Sequence, residues 1–226
     1  MRFKDYKVLI SGKGSAIVSV LAKKYLEEGA DVIVLGTVTA DPEVEYKRIL
    51  CNPADAVSLD AGIDKVLEIF DGQLDILINA IDSETKATIF DMTKEQFDRG
   101  MAEVLWSSIR LIERLYKPLQ AGKHANSSII NLLTVKARLH DFNDALVSLS
   151  KNALGYYTKL CTAGFLKVRC NNVLPGDADS SQERAPNGSV QPDEVARVIT
   201  YLTSTDGTYI NGADFLIDGG ESLFSA

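Results

Sequence analysis

Thr134, Val147 and Lys151 are the residues whose types and spacing bear most directly on chemistry in this chain. An apolar run over residues 129–133 reads as a buried strand. Thr134 stands at its C-terminal end, where a hydroxyl can donate a hydrogen bond to a bound oxygen. Asp144 then precedes Ala145, Leu146 and Val147, an N-cap signal for a helix. Lys151 lies four residues beyond Val147, so the two share one helix face. His140 falls in the loop between strand and helix and can titrate near neutrality. Asp141 reads as a loop residue and Asp144 as the cap.

The elements that must position these residues alternate regularly. Strands are expected over 7–11, 31–36, 46–51, 74–80, 129–133, 167–174 and 213–218. Helices are expected over 16–28, from Ser58 or Asp60 to Phe70, over 94–119, over 145–166 and over 192–202. In the long helix the spacing points Phe97, Met101, Val104, Leu105, Ile109, Ile112 and Leu115 inward. Strands alternating with helices at this spacing predict an α/β fold. One doubly wound parallel sheet, spanning residues 1–226 as a single domain, has both faces covered.

Composition narrows the function classes. The chain has 226 residues, is 46% hydrophobic and carries a formal charge of -7, which argues against a nucleic-acid or acidic-membrane surface. Three cysteines without a C-x-x-C spacing read as buried thiols in a reducing compartment. Two histidines leave almost no ligands for zinc, so no metal site is expected. The chain runs from Met1 into a strand with no signal peptide or long apolar span, and a cytoplasmic location is the expectation.

Several motifs in order carry a resemblance: the first strand–helix turn Gly12-Lys13-Gly14-Ser15, Asp75-Ile76-Leu77-Ile78-Asn79, Pro175-Gly176, and Tyr209-Ile210-Asn211-Gly212 followed by Ile217-Asp218-Gly219-Gly220. With the spacing from Thr134 to Lys151, the chain resembles the short-chain dehydrogenases/reductases over essentially its whole length. The resemblance implies a Rossmann-like fold, an NAD(P) cofactor and proton transfer through a Tyr. In that mechanism a Ser holds the substrate oxygen, a Lys lowers the Tyr pKa and hydrogen-bonds the ribose, and an Asn supports a water. Those positions are Thr134, Lys151, Val147 for the Tyr and Val104 for the Asn. With no tyrosine to tune, Lys151 is expected to be a solvated helix lysine.

The implied nucleotide site departs as well. The family's Thr-Gly-x-x-x-Gly-x-Gly falls on Ser11, Gly12, Ala16 and Val18, with Gly14 out of register. The second strand ends Leu35-Gly36-Thr37, without the acid that binds a ribose or the Arg that receives a phosphate. Asn52 stands where an Asp meets adenine. Asn79-Ala80-Ile81-Asp82 stands where the family has Asn-Asn-Ala-Gly, and Asp82 and Asp177 add negative charge beside the cofactor path. The segment between Pro175 and Pro192 is short, which implies a truncated substrate lid.

These departures lead to the expectation of a degenerate member that binds no cofactor tightly. It would assemble with an intact, NAD-dependent relative through helices 94–119 and 145–166, where Trp106, Leu111, Tyr156, Tyr157 and Phe165 exceed one inward stripe. The family contains such mixed pairs, and the two-subunit hydroxyacyl-CoA dehydrogenase of the benzylsuccinate pathway is the comparison it suggests. Two alternatives are an active oxidoreductase using Thr134, Lys151 and His140, and a binding module that senses a nucleotide without turnover.

Overall fold

The computed structural model describes residues 1–37, 44–139, 142–176 and 189–224. Seven strands form one sheet: β1 (Lys7–Gly12), β2 (Asp31–Gly36), β3 (Lys47–Leu50), β4 (Ile76–Ala80), β5 (Ser128–Leu132), β6 (Arg169–Pro175) and β7 (Asp214–Ile217). All pairs are parallel, and the order is β3-β2-β1-β4-β5-β6-β7. The helices are α1 (Ala16–Glu27), α2 (Ala56–Ile69), α3 (Lys94–Met101), α4 (Ser107–Gln120), α5 (Ala145–Gly164), α6 (Pro192–Thr203) and the short α7 (Glu221–Phe224). The strand order reverses between β1 and β4, which places a crevice at their C-terminal ends.

The strands are continuous apolar runs because both faces are covered. Their alternate residues divide into two cores. Val8, Ile10, Val34 and Ile78 meet Leu21 and Tyr25 of α1 and Ile199 of α6. Leu9, Leu35, Leu77 and Ile129 meet Ile63 of α2 and Leu111 and Leu115 of α4. The same odd–even alternation continues into a polar row. Ser11, Asn79, Asn131, Asn172 and Asp214 are successive register partners across β1, β4, β5, β6 and β7. Asn79 Nδ2 donates to Asn131 Oδ1 at 2.8 Å, and Asn131 Nδ2 donates to Thr158 Oγ1 of α5 at 2.8 Å. Thr158 Oγ1 donates to Asn172 Oδ1 at 2.6 Å, and Asn172 Nδ2 donates to Asp214 Oδ1 at 2.8 Å. Asn79, Asn131 and Asn172 are essentially inaccessible to solvent, so each amide depends on these partners.

Several sequence expectations need correction. Helix α2 starts at Ala56, ahead of Ser58, because the Asp55 carboxylate accepts the Ser58 N–H at 2.7 Å and caps the turn. The helix over 94–119 is interrupted by a π-helical turn at Ala102–Trp106. The hydroxyls of Ser107 and Ser108 donate to the carbonyls of Glu103 and Val104 at 2.5 and 2.7 Å, satisfying acceptors in the widened turn. The turn changes the helical register, and Phe97, expected inward, is exposed. Leu111, expected on an outer face, is fully buried in this chain's own core. Tyr157 packs against Leu133, Leu154 and Leu174, and Phe165 stacks on Tyr116 at 4.2 Å.

The polar row makes a direct prediction. Asn131→Leu keeps the volume but strips partners from Asn79 and Thr158. It should lower unfolding free energy on the order of 3 kcal/mol, read as a reduced denaturation midpoint with an unchanged slope.

Candidate functional site

Thr134 lies two residues past β5 and caps the short turn Val135–Ala137, its Oγ1 accepting the Lys136 N–H at 3.3 Å. That acceptor role leaves the hydroxyl proton to be donated elsewhere. Val147 sits in the first turn of α5, half-buried. Asp144 occupies the N-cap position, but its side chain makes no capping hydrogen bond. A cavity of about 340 Å³ brings Thr134 and Val147 together, walled by Ile17, Leu132, Pro175 and Val195. Asp82, Asp144 and Lys136 supply the charged part of its lining. Val104, in the π-helical turn, is fully buried and presents no polar atom of its side chain to this space.

Lys151 corrects the expectation of a solvated lysine. It is 1% exposed. Lys151, Leu154, Thr158 and Cys161 form the buried stripe of α5, and that spacing was visible in the sequence. The ammonium donates to the carbonyls of Ile81 and Leu132 at 2.9 and 2.8 Å and pairs with Asp82 Oδ1 at 2.7 Å. An ammonium has three N–H groups, and these three protein acceptors account for all of them. Asp82 was expected only to repel a phosphate; its pairing with Lys151 depends on a contact across 69 residues of chain that spacing does not reveal.

A second group escaped the sequence entirely. Glu103, in the π-helical turn, is buried and receives hydrogen bonds from Ser83 Oγ (2.5 Å), the Glu84 N–H (3.2 Å) and Arg99 Nε (3.1 Å). Burial pushes its pKa upward, but the bonds from Ser83, Arg99 and Glu84 outweigh that and hold it below the ordinary glutamate value. Glu84 in turn pairs with Lys13 of the first turn at 2.9 Å. No sequence signal separates Glu103 from any other helix glutamate.

The nucleotide positions can be placed one by one. Gly12 ends β1, and a Cβ there would come within 2.8 Å of the Ala80 carbonyl oxygen, so this glycine serves sheet packing. Gly14 and Ala16 are exposed at the entrance to α1, whose N-cap Ser15 makes no side-chain cap. Val18 is fully buried and packs over Gly12, serving the core. Asn52 Oδ1 accepts the Ala54 N–H at 3.1 Å in a local turn. Asn79 belongs to the polar row. His140, Asp141, Asp177 and the lid residues 177–188 lie outside the described residues. A dinucleotide needs donors for its ribose and phosphates; with Lys151 saturated and Lys13 tied to Glu84, the described residues do not fit it.

Among the described residues no group of three or more His, Cys, Asp or Glu could hold a metal ion, and no helix is long and apolar enough to cross a membrane.

A family model described as enoyl-(acyl carrier protein) reductase, of the short-chain dehydrogenase type, matches residues 12–222. The chain belongs to the short-chain dehydrogenase/reductase family. This is a family of oxidoreductases whose members typically use NAD(P). Similar relatives include D-threitol dehydrogenase of Mycolicibacterium smegmatis, 26% identical and covering 97% of this chain and 94% of the relative. The NADP-dependent (R)-specific alcohol dehydrogenase of Lentilactobacillus kefiri is 25% identical, with 97% of each covered. Ligand-free aldohexose dehydrogenase of Thermoplasma acidophilum superposes with a TM-score of 0.87 over 98% of this chain and 95% of that one; at 22% identity this is a likeness of fold. The Rossmann-like short-chain dehydrogenase fold expected from the motifs is the one observed.

Two predictions follow from the buried charges. Lys151→Met leaves the Ile81 and Leu132 carbonyls without their donor. It should cost on the order of 2–4 kcal/mol in chemical denaturation, whereas Asp82→Ala, at an exposed side chain, should cost less. Because the Glu103 pKa is lowered on folding, its contribution is present above the ordinary glutamate value and lost as pH falls through the folded one. From about pH 5 downward the parent should lose denaturation midpoint more steeply than Glu103→Gln.

Proposed function

We propose that this chain is a non-catalytic member of the family that assembles with and stabilises an intact, NAD-dependent relative, a 3-hydroxyacyl-CoA dehydrogenase being a candidate. The observation that carries this reading is Val147. It lines the cavity beside Thr134 at the position of the proton-transferring tyrosine, and Val104 replaces the family's asparagine without a polar side chain. Among the described residues around Thr134, Asp82 is committed to Lys151, and Ser83 to Glu103. Neither stands as a general acid that could replace a tyrosine.

The assembly half of the proposal rests on the outer face of α5. Leu149, Tyr156 and Leu160 are 51%, 68% and 52% exposed and recur at i, i+7 and i+11, one side of the helix. Trp106, 47% exposed at the end of the π-helical turn, adds a large aromatic. Trp106 and Tyr156 were expected on this face; Leu149 and Leu160 join them, while Leu111, Tyr157 and Phe165 serve this chain's own packing. The chemistry then belongs to the partner, and NAD to the partner's site.

An active oxidoreductase is the second reading, favoured by the retained cavity with its Thr134 hydroxyl. A cofactor-absorbance assay of the pure chain against secondary alcohols and hydroxyacyl-CoA separates the two. No turnover is expected; turnover abolished by Thr134→Val establishes the second reading. Expressed with an intact relative, the chain should co-purify with it. Tyr156→Asp with Leu160→Asp should release that partner and lower its activity severalfold, while Thr134→Val leaves the complex's rate unchanged. The reverse pattern would overturn the subunit assignment.

A further inference from the structure

A doubly wound sheet takes its ligand in the crevice where strand order reverses, here at the C-terminal ends of β1 and β4. Among the described residues, the lysines at that end of the sheet include Lys13, in the turn leaving β1, Lys136, in the charged lining of the cavity, and Lys151, on the buried stripe of α5. The ammonium groups of Lys13 and Lys151 are taken by carboxylates of one short segment that leaves β4. Asp82 Oδ1 lies 2.7 Å from Lys151 Nζ, and Glu84 Oε1 lies 2.9 Å from Lys13 Nζ. The segment is pinned between these pairs. The Ile81 carbonyl accepts from Lys151, while Ser83 Oγ and the Glu84 N–H both donate to Glu103. The Asp82 and Glu84 side chains are 66% and 70% exposed, so apolar packing does not hold them; the lysines and Glu103 do.

We propose that residues 81–85 are a built-in anion mimic, in which Asp82 and Glu84 occupy the cationic contacts that Lys151 and Lys13 offer at the crevice and thereby exclude a dinucleotide. An incoming dinucleotide meets Lys13 on its phosphate side and Lys151 on its ribose side already paired, and its phosphates are repelled by the carboxylates that pair them. The segment follows β4 without a break, so its carboxylates are held at a high effective concentration beside the lysines. Asp82 and Glu84 are thus the residues that set ligand specificity at this crevice. This inference concerns cofactor exclusion and stands whether or not the chain has a partner.

The test is a titration of NADH, followed by fluorescence and calorimetry, into the parent and into the Asp82→Ala, Glu84→Ala double variant. Lys151 keeps its two carbonyl acceptors in the variant, so the melting temperature should fall only modestly and the variant should remain folded. The variant is expected to bind NADH about tenfold or more tightly than the parent. Adding Lys13→Gln to it should remove part of that gain. Equal affinity in a folded variant overturns the proposal, as does a parent that already binds in the micromolar range. If the double variant unfolds, Asp82→Asn with Glu84→Gln removes the charge at nearly constant shape, and the same tenfold criterion applies. Hydride transfer measured on the same parent sample bears only on the non-catalytic assignment. Turnover there defeats that assignment, whereas unchanged NADH affinity in the variant defeats this one.

Discussion

The amide row across the sheet is the constraint on which the rest of the site depends. Asn79, Asn131 and Asn172 are buried at successive register positions, and each needs its neighbour to replace lost water. A slip of one residue in any strand would turn an amide into an apolar core and orphan two others. Thr158 joins the row from α5, donating to Asn172 and accepting from Asn131. The helix is thereby locked in rotation as well as position. Two turns earlier on the same stripe, Lys151 is carried inward to the ends of β4 and β5, where the Ile81 and Leu132 carbonyls await a donor.

A buried ammonium is costly unless its N–H groups are met, and that requirement organises the crevice. Two carbonyls satisfy part of it, and Asp82 completes it. The chain following Asp82 is then held close to β1 and the π-helical turn, where Glu103 accepts from Ser83 and Glu84. The widened turn is itself sustained by serine hydroxyls on freed carbonyls. Three positions that the family resemblance assigned to the cofactor make internal contacts in this structure. Lys151 is an anchor of the fold and Val18 a core residue, while Asn52 is a turn former.

The apolar cavity beside Thr134 and the outer face of α5 remain once those internal demands are met. Packing explains the first in part, since Ile17, Leu132 and Val195 also border the core beneath it. It does not explain Leu149, Tyr156 and Leu160, which contribute nothing to either core. Large apolar groups recurring on one exposed helix face are the kind of surface that a second chain covers.

The sequence by itself determined the α/β class, the parallel sheet and most element boundaries. Those properties follow from apolar periodicity and turn residues, which act over a few neighbours. It also determined that valines stand at positions 104 and 147, because residue identity at a spacing needs no coordinates. Three things were decided only in the tertiary structure. Whether Lys151 is solvated or buried depends on which side of α5 meets the sheet, and the apolar surplus on that helix left two sides to choose from. Whether Leu111 faces outward depends on the register after the π-helical turn, and hydrophobic spacing assumes an unbroken helix; Tyr157 is drawn inward by Leu133, Leu154 and Leu174, which only the folded chain brings beside it. The pairing of Asp82 with Lys151 and of Glu84 with Lys13 joins residues about 70 positions apart, and Coulomb attraction between them exists only once β1, β4 and α5 have converged.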